Sequence, residues 1–162
     1  MTASPPSCNI RCQVGEPIKV SNMFIAFLSY RNRILGVQLF KYRIKGFLHW
    51  GFNFYNSQYS DYSVNPYLAT DVNGWVPAGD PFQVYPGEDG KPGESIRMAV
   101  TMQALQDLRA FEKLAQLTSH DYVLSIIDGE SDMPITFASY PRNNAYLLRL
   151  RERVNEEIIK RL

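Results

Sequence analysis

Lys45-Gly46-Phe47-Leu48-His49-Trp50-Gly51-Phe52-Asn53-Phe54-Tyr55-Asn56 is the stretch on which the fold turns. Its first half is nearly continuous apolar sequence with two glycines, the pattern of a strand buried on both faces. Its second half sets amides and aromatic rings where such a strand must end. An aromatic face covers the apolar face of a sugar ring and amides hydrogen-bond its hydroxyls, so the mixture suits a carbohydrate site. An aromatic-rich strand end packed into an ordinary core has the same composition.

Upstream, Ile34, Leu35, Val37, Leu39 and Phe40 leave only a narrow polar face, which predicts a well-buried helix from about Arg31 to Tyr42. A very short turn then leads into the predicted strand Gly46 to Asn53. This compact αβ step is the kind found in α/β barrels. Residues 12 to 20 read as another short strand, interrupted or ended at Gly15-Glu16-Pro17. Downstream, residues 54 to 94 form a long loop rich in Tyr, Asn, Asp, Pro and Gly. Loops longer than about 12–15 residues are usually functional or disordered. Tyr55, Tyr59, Tyr62, Tyr67, Trp75, Phe82 and Tyr85 make this one too aromatic for disorder. Phe82 to Tyr85 reads as a short strand before the Pro86-Gly87 turn.

Three helices close the chain. The first spans about Ser95 to Leu117, capped by Ser95, with Met98, Met102, Leu105, Leu108, Phe111 and Ala115 as its apolar face. The second runs from Ser119 to Ile127, with Ser119 as cap and Gly129 shortly beyond its end. The third follows Pro141-Arg142-Asn143 and carries the stripe Leu147, Leu150, Val154, Ile158 and Leu162. Its Arg and Glu residues between 149 and 157 read as a solvated face with i,i+4 pairs, not a basic binding surface.

Hydrophobic residues make up 45% of the 162 and charged residues 20%, enough apolar sequence for a sizeable core. A net charge of +1 offers no broad attraction to nucleic acid or anionic membrane. No apolar run reaches the roughly 20 residues of a membrane helix. No charged segment followed by an apolar one opens the chain, so a cytoplasmic location is expected unless a leader lies upstream of Met1. Cys8 and Cys12 are the only cysteines and lack further ligands at zinc spacing, so they read as reduced structural thiols. Asp71-Val72-Asn73-Gly74 opens like a calcium loop, but the required downstream ligands are missing.

The run Gly46-Phe47-Leu48-His49-Trp50-Gly51-Phe52-Asn53 resembles the late barrel strand of glycoside hydrolase family 123 and its uncharacterised relatives. The likeness continues in order through Asn65-Pro66-Tyr67, Ala78-Gly79-Asp80-Pro81-Phe82, Val84-Tyr85-Pro86-Gly87, Ser95-Ile96-Arg97 and Leu105-Gln106-Asp107. Val20-Ser21-Asn22 and Arg31-Asn32-Arg33-Ile34-Leu35-Gly36 extend it upstream. The resemblance spans residues 12 to 162 and leaves 1–11 unmatched. It implies an α/β fold: the C-terminal part of a (β/α)8 TIM-type barrel, with 54–94 as a long aromatic loop and 95–162 helical. Such barrels typically need about 250 residues, so the expectation is a late portion of one. Where the family carries an acidic residue and Gly before Leu-Gln-Asp, this chain has Gln103 and Ala104. Ala favours a helix over Gly by about 1 kcal/mol, so the helix should persist while any charge-dependent role of that turn is lost.

The resemblance also implies an activity: hydrolysis of terminal β-linked N-acetylgalactosamine, in which the substrate's acetamido group replaces the second catalytic carboxylate. The family's acid is a Glu directly after an Asp, on an earlier strand. No Asp-Glu dipeptide occurs here, and Glu88-Asp89 has the reverse order within a turn. Only sugar-lining roles carry over, with no catalytic residue, metal ligand or cofactor. Strand parity puts His49 and Asn53 inward, His49 as a barrel layer residue and Asn53 as a hydrogen-bonding group near the strand end. Trp50 suits either packing beneath a helix or a sugar platform. Tyr55 and Asn56 follow in the loop. Asp71 is a loop carboxylate fitted to the family pattern, whereas Asp80, before Pro81, reads as a turn residue. Arg97 reads as a surface ion-pair partner before an anion ligand. The substrate-binding set is therefore Trp50, Asn53, Tyr55, Asn56, Asp71 and Tyr85.

Three readings follow: a late barrel portion that supplies the substrate wall and is inactive alone; a noncatalytic carbohydrate-binding or scaffolding domain; or a truncated gene product. The expected partners are a carbohydrate, specifically an N-acetylhexosaminide, and other copies of the chain meeting at an exposed barrel edge. Neither nucleic acid nor membrane is expected.

Overall fold

The structure, a computed structural model, describes residues 19–162. The predicted strand over residues 12–20 lies almost wholly outside them, as do Cys8 and Cys12. The described elements are α1 (Tyr30–Arg33), α2 (Leu35–Lys41), β1 (Val84–Pro86), β2 (Pro92–Glu94), α3 (Ile96–Leu117), α4 (His120–Gly129) and α5 (Asn144–Ile159). Ile34 keeps helical angles between α1 and α2, so the predicted helix from Arg31 to Tyr42 is present as two joined pieces. β1 and β2 form an antiparallel pair in which Val84 faces Glu94 and Pro86 faces Pro92. The architecture is a mixture of helices and one small sheet, compatible with the α/β class.

Helix starts follow their caps. The side chains of Ser95, Ser119 and Asn143 accept from the backbone N–H groups of Met98, Tyr122 and Tyr146 at 3.2, 3.1 and 2.9 Å. Each satisfies one donor that the first helical turn leaves open. α3 lies at the centre, packed by α2, α4 and α5, and the core joins Val37, Phe111, Leu114, Val123, Ile127 and Leu150. Burying each of these side chains contributes about 1.5–3 kcal/mol. Gly36 is required where α2 crosses α3: a Cβ there would lie 2.1 Å from the Ala104 carbonyl oxygen. Ala104 is itself wholly buried at this crossing.

The buried face of α3 is offset from the expected one. Arg97, Ala104, Asp107, Ala110, Phe111 and Leu114 point inward, while Met102 and Leu105 are exposed. Polar groups explain the offset. The Asp107 carboxylate takes a two-pronged contact from Arg33 (2.7 and 3.1 Å) and another from Arg151 at 3.1 Å. A buried, neutralised carboxylate reads as a surface residue in sequence. On α5, the expected i,i+4 pair Arg153–Glu157 forms at 3.4 Å, but Glu157 is buried rather than on a solvated face, because Arg161 beyond the helix end also closes on it at 2.6 Å. Glu157 also accepts from the Tyr122 hydroxyl at 2.6 Å. Leu162, expected in the α5 stripe, is exposed.

The predicted strand Gly46 to Asn53 is not a strand in this structure. A strand requires ladder partners for its N–H and C=O groups, and among the described residues only Phe82 pairs with this run, at Asn53. The parity expected of it survives only in part: His49 is half-buried and Gly51 buried, while Leu48, Trp50 and Phe52 are exposed, but Asn53, expected inward, is exposed too because no strand forms to carry the alternation to the end of the run. Leu48 has 79% of its surface in solvent. Gly51 marks the closest approach. A Cβ there would stand 2.6 Å from backbone atoms of Pro81.

Candidate functional site

The run and the turn at 79–83 are held together by backbone bonds from Gln83 to the Phe52 carbonyl (2.7 Å) and from Phe54 to the Pro81 carbonyl (3.0 Å). Beyond Asn53 the chain doubles back. Asn56 bridges to Ser63, Ser57 N–H donates to the Tyr62 carbonyl, and Val64 N–H donates to the Tyr55 carbonyl. The Ser57 hydroxyl closes the loop tip by accepting from Asp61 N–H at 3.0 Å. Next, the Asn65 side chain accepts from Tyr67 N–H at 2.9 Å, turning the chain so that the Tyr67 hydroxyl donates to the Pro86 carbonyl. These turns enclose a cleft of about 480 Å³ whose lining includes Asn53, Tyr55, Asn56, Asn65, Tyr67 and Pro86.

Among the described residues, no charged side chain lines this cleft. Among the described residues, the side-chain amides of Asn53 and Asn56 have no protein partner, which leaves both their donors and their acceptors for a ligand. The Tyr55 hydroxyl donates to the Val84 carbonyl at 2.7 Å and keeps acceptor capacity. Burial, with Tyr67 and Tyr85 nearby, raises its pKa above the ordinary value, so it stays a neutral phenol. Such a surface matches hydroxyl-rich, uncharged molecules, and its size lies within the ordinary range of ligand pockets.

Of the six residues expected to bind substrate, Asn53, Tyr55 and Asn56 come together in this cleft. Tyr85 stands behind it, its ring 5.0 Å from that of Tyr67, and faces a second cavity. Trp50 lies apart, packed with neither a helix nor the cleft. Its indole N–H donates to Asp80 at 2.8 Å and its ring meets Phe54 and Trp75 at 5.7 and 5.5 Å. Asp71 also falls outside the cleft; its backbone carbonyl accepts from Trp75 and Val76 and holds a turn. Asn65 and Tyr67, missed as ligand groups, were signalled by the Asn65-Pro66-Tyr67 motif.

Asp80 is buried, as its turn role requires. Its carbonyl lies 2.8 Å from His49 Nε2, which must therefore carry the proton. His49 Nδ1 is buried with no hydrogen-bond partner. Burial pulls the His49 pKa below 6.5, against the opposing pull of Asp80, so the ring is neutral near pH 7.

Residues 12–114 match the family model of the glycoside hydrolase 123 catalytic domain, well over half of the chain. The chain belongs to glycoside hydrolase family 123. No curated protein matches it. Family 123 membership covers both the run at 45–56 and the turns that build the cleft, and it implies a carbohydrate substrate. α4 and α5 lie beyond the matched residues. No described helix is long and apolar enough to cross a membrane.

Proposed function

We propose that this chain is the late part of a glycoside hydrolase barrel domain and supplies its sugar-contacting wall. In this reading the cleft holds the terminal sugar: Asn53 and Asn56 bind its hydroxyl or acetamido groups, and Tyr55 and Tyr67 flank it. The observation that carries the reading is the uncharged lining with two unengaged amides. The substrate class is the terminal β-linked N-acetylgalactosaminide, cleaved with retention by attack of its own acetamido group. The acid comes from an Asp-Glu pair outside these 162 residues, since the sequence contains none.

The test is hydrolysis of a chromogenic N-acetyl-β-galactosaminide by this chain alone and by this chain joined to the preceding barrel half of a family member. Turnover only by the joined protein, lowered by Asn56→Ala, is the expected result. Turnover by the short chain refutes the assignment of the acid.

A second reading, a noncatalytic carbohydrate-binding domain, is favoured by the lack of any carboxylate in the cleft lining. Sugar binding without turnover in the joined protein would select it. Under either reading, exposed Leu48 and Phe52 on a run with few backbone partners before Phe52 favour association between copies of the chain. A monodisperse monomer in sedimentation would contradict that.

A further inference from the structure

Two tyrosine hydroxyls of the amide-lined cleft have their hydrogens committed to the protein, and this limits what a ligand can offer them. Tyr85 faces Gly93 across the two-stranded sheet, so the carbonyls of Val84 and Pro86 lie on the other edge of β1. Among the described residues no third strand covers that edge. Side chains from the 54–67 turns take its carbonyls instead. The Tyr55 hydroxyl donates to Val84 at 2.7 Å and the Tyr67 hydroxyl donates to Pro86 at 2.9 Å. Val84 is buried, so its carbonyl depends on such a partner.

A phenolic hydroxyl has one hydrogen and separate acceptor capacity. With the hydrogen spent, each tyrosine presents the cleft with an acceptor alone. Both line the cleft, and Tyr67 keeps 59% of its surface in solvent. Tyr67 also lies close enough to the Tyr55 hydroxyl to disfavour its ionisation, so the two acceptors are neighbours. The Asn65 side chain fixes the second of them in place by accepting from Tyr67 N–H. Asn53 and Asn56, opposite in character, bring amide N–H donors to the same lining.

A free sugar hydroxyl satisfies both kinds of group, accepting from an amide while donating to a tyrosine. A fluorine, a methyl ether or a sulfate ester at that position has no hydrogen to give. Sulfate adds a charge, and among the described residues no cation lines the cleft to receive it.

We infer that Tyr55 and Tyr67 are specificity-determining acceptors, selecting a neutral sugar with at least two free hydroxyl donors and excluding its O-sulfated forms. This rests on the sugar-wall reading and narrows its substrate class.

Titration of the isotopically labelled full chain with methyl N-acetyl-β-galactosaminide, followed by amide resonances, supplies the reference affinity. Three analogues, each with fluorine in place of one free hydroxyl, and the sugar sulfated at its primary hydroxyl are then compared. At least two fluorinated analogues, and the sulfated sugar, should bind about fivefold weaker or more. Tyr67→Phe and Tyr55→Phe keep the rings and remove the acceptors, so each should abolish the penalty of one analogue. A parent glycoside that does not bind would remove the sugar-wall reading itself. A parent that binds while fewer than two fluorinated analogues are weakened, or while the sulfated sugar binds equally, would overturn this inference alone. So would penalties that persist in both folded variants; if a variant does not fold, the wild-type series decides.

Discussion

Gly51→Ala is the sharpest probe of how the run at 45–56 is placed. The new Cβ would meet Pro81 Cα and O at 2.6 Å and Pro81 C at 2.7 Å, all backbone atoms that no rotamer change can move aside. Reaching ordinary contact at about 3.4 Å requires the run and the 79–83 turn to separate by about 0.8 Å. Four bonds cross that gap: Gln83 N–H to Phe52 O, Phe54 N–H to Pro81 O, Trp50 Nε1–H to Asp80, and His49 Nε2–H to Asp80 O. Overpacking alone costs about 1–3 kcal/mol, and each strained bond forfeits up to about 1 kcal/mol net. The expected loss is about 2–4 kcal/mol. Urea unfolding, followed by the fluorescence of Trp50 and Trp75, should show the midpoint fall by roughly 1–2 M, for a slope near 2 kcal/mol/M. Gly46→Ala is the control, since nothing lies within 4 Å of its Cβ position. It should change stability by less than about 0.5 kcal/mol. Equal midpoints for the two variants would refute the close approach of Gly51 to Pro81.

Two further perturbations follow from buried polar groups. Asp107→Ala strands Arg33 and Arg151, whose side chains are 16% and 31% exposed. That partial exposure reduces the usual cost of breaking a buried pair to about 2–4 kcal/mol, measurable in the same urea assay. A loss below about 0.5 kcal/mol would mean the three-way contact does not persist in solution. Stability should also fall on acidification in two steps. His49, with its pKa below 6.5, is neutral in the fold, so the unfolded chain takes up the proton first and stability declines as pH drops below 6.5. Glu157, held to about 2 by Tyr122, Lys160 and Arg161, contributes stability above pH 4.5 that is lost as pH falls from there toward 2. Thermal melts of His49→Gln and Glu157→Gln should flatten the first and second steps respectively. An unchanged profile in either variant would contradict its assignment.

The parts of the fold that were legible in sequence are those set by local chemistry. Ser95 and Ser119 cap the helices they were expected to cap, and the strand expected over Phe82 to Tyr85 is met at Val84 and Tyr85, with β1 running on through Pro86. Illegible were features that depend on partners distant in sequence. An apolar run such as Gly46 to Phe52 reads as a buried strand, but strand formation needs a neighbour at hydrogen-bonding distance along its length. Arg97 reads as a surface charge because sequence does not show which groups will surround it, and the partners of Asp107 are equally invisible there. In the site, adjacency placed Asn53, Tyr55 and Asn56 together, whereas Asn65 and Tyr67 arrive through the turn made by the Asn65 side chain. Trp50 is drawn elsewhere by a single hydrogen bond to Asp80.

The most direct test of the sugar-wall reading is a titration of the isotopically labelled chain with N-acetylgalactosamine, followed through backbone and side-chain amide resonances. Saturable shifts confined to Asn53, Tyr55, Asn56, Asn65 and Tyr67, and abolished by Tyr67→Ala, are the expected result. Absent shifts, or shifts centred on Trp50 and Trp75 instead, would contradict the account.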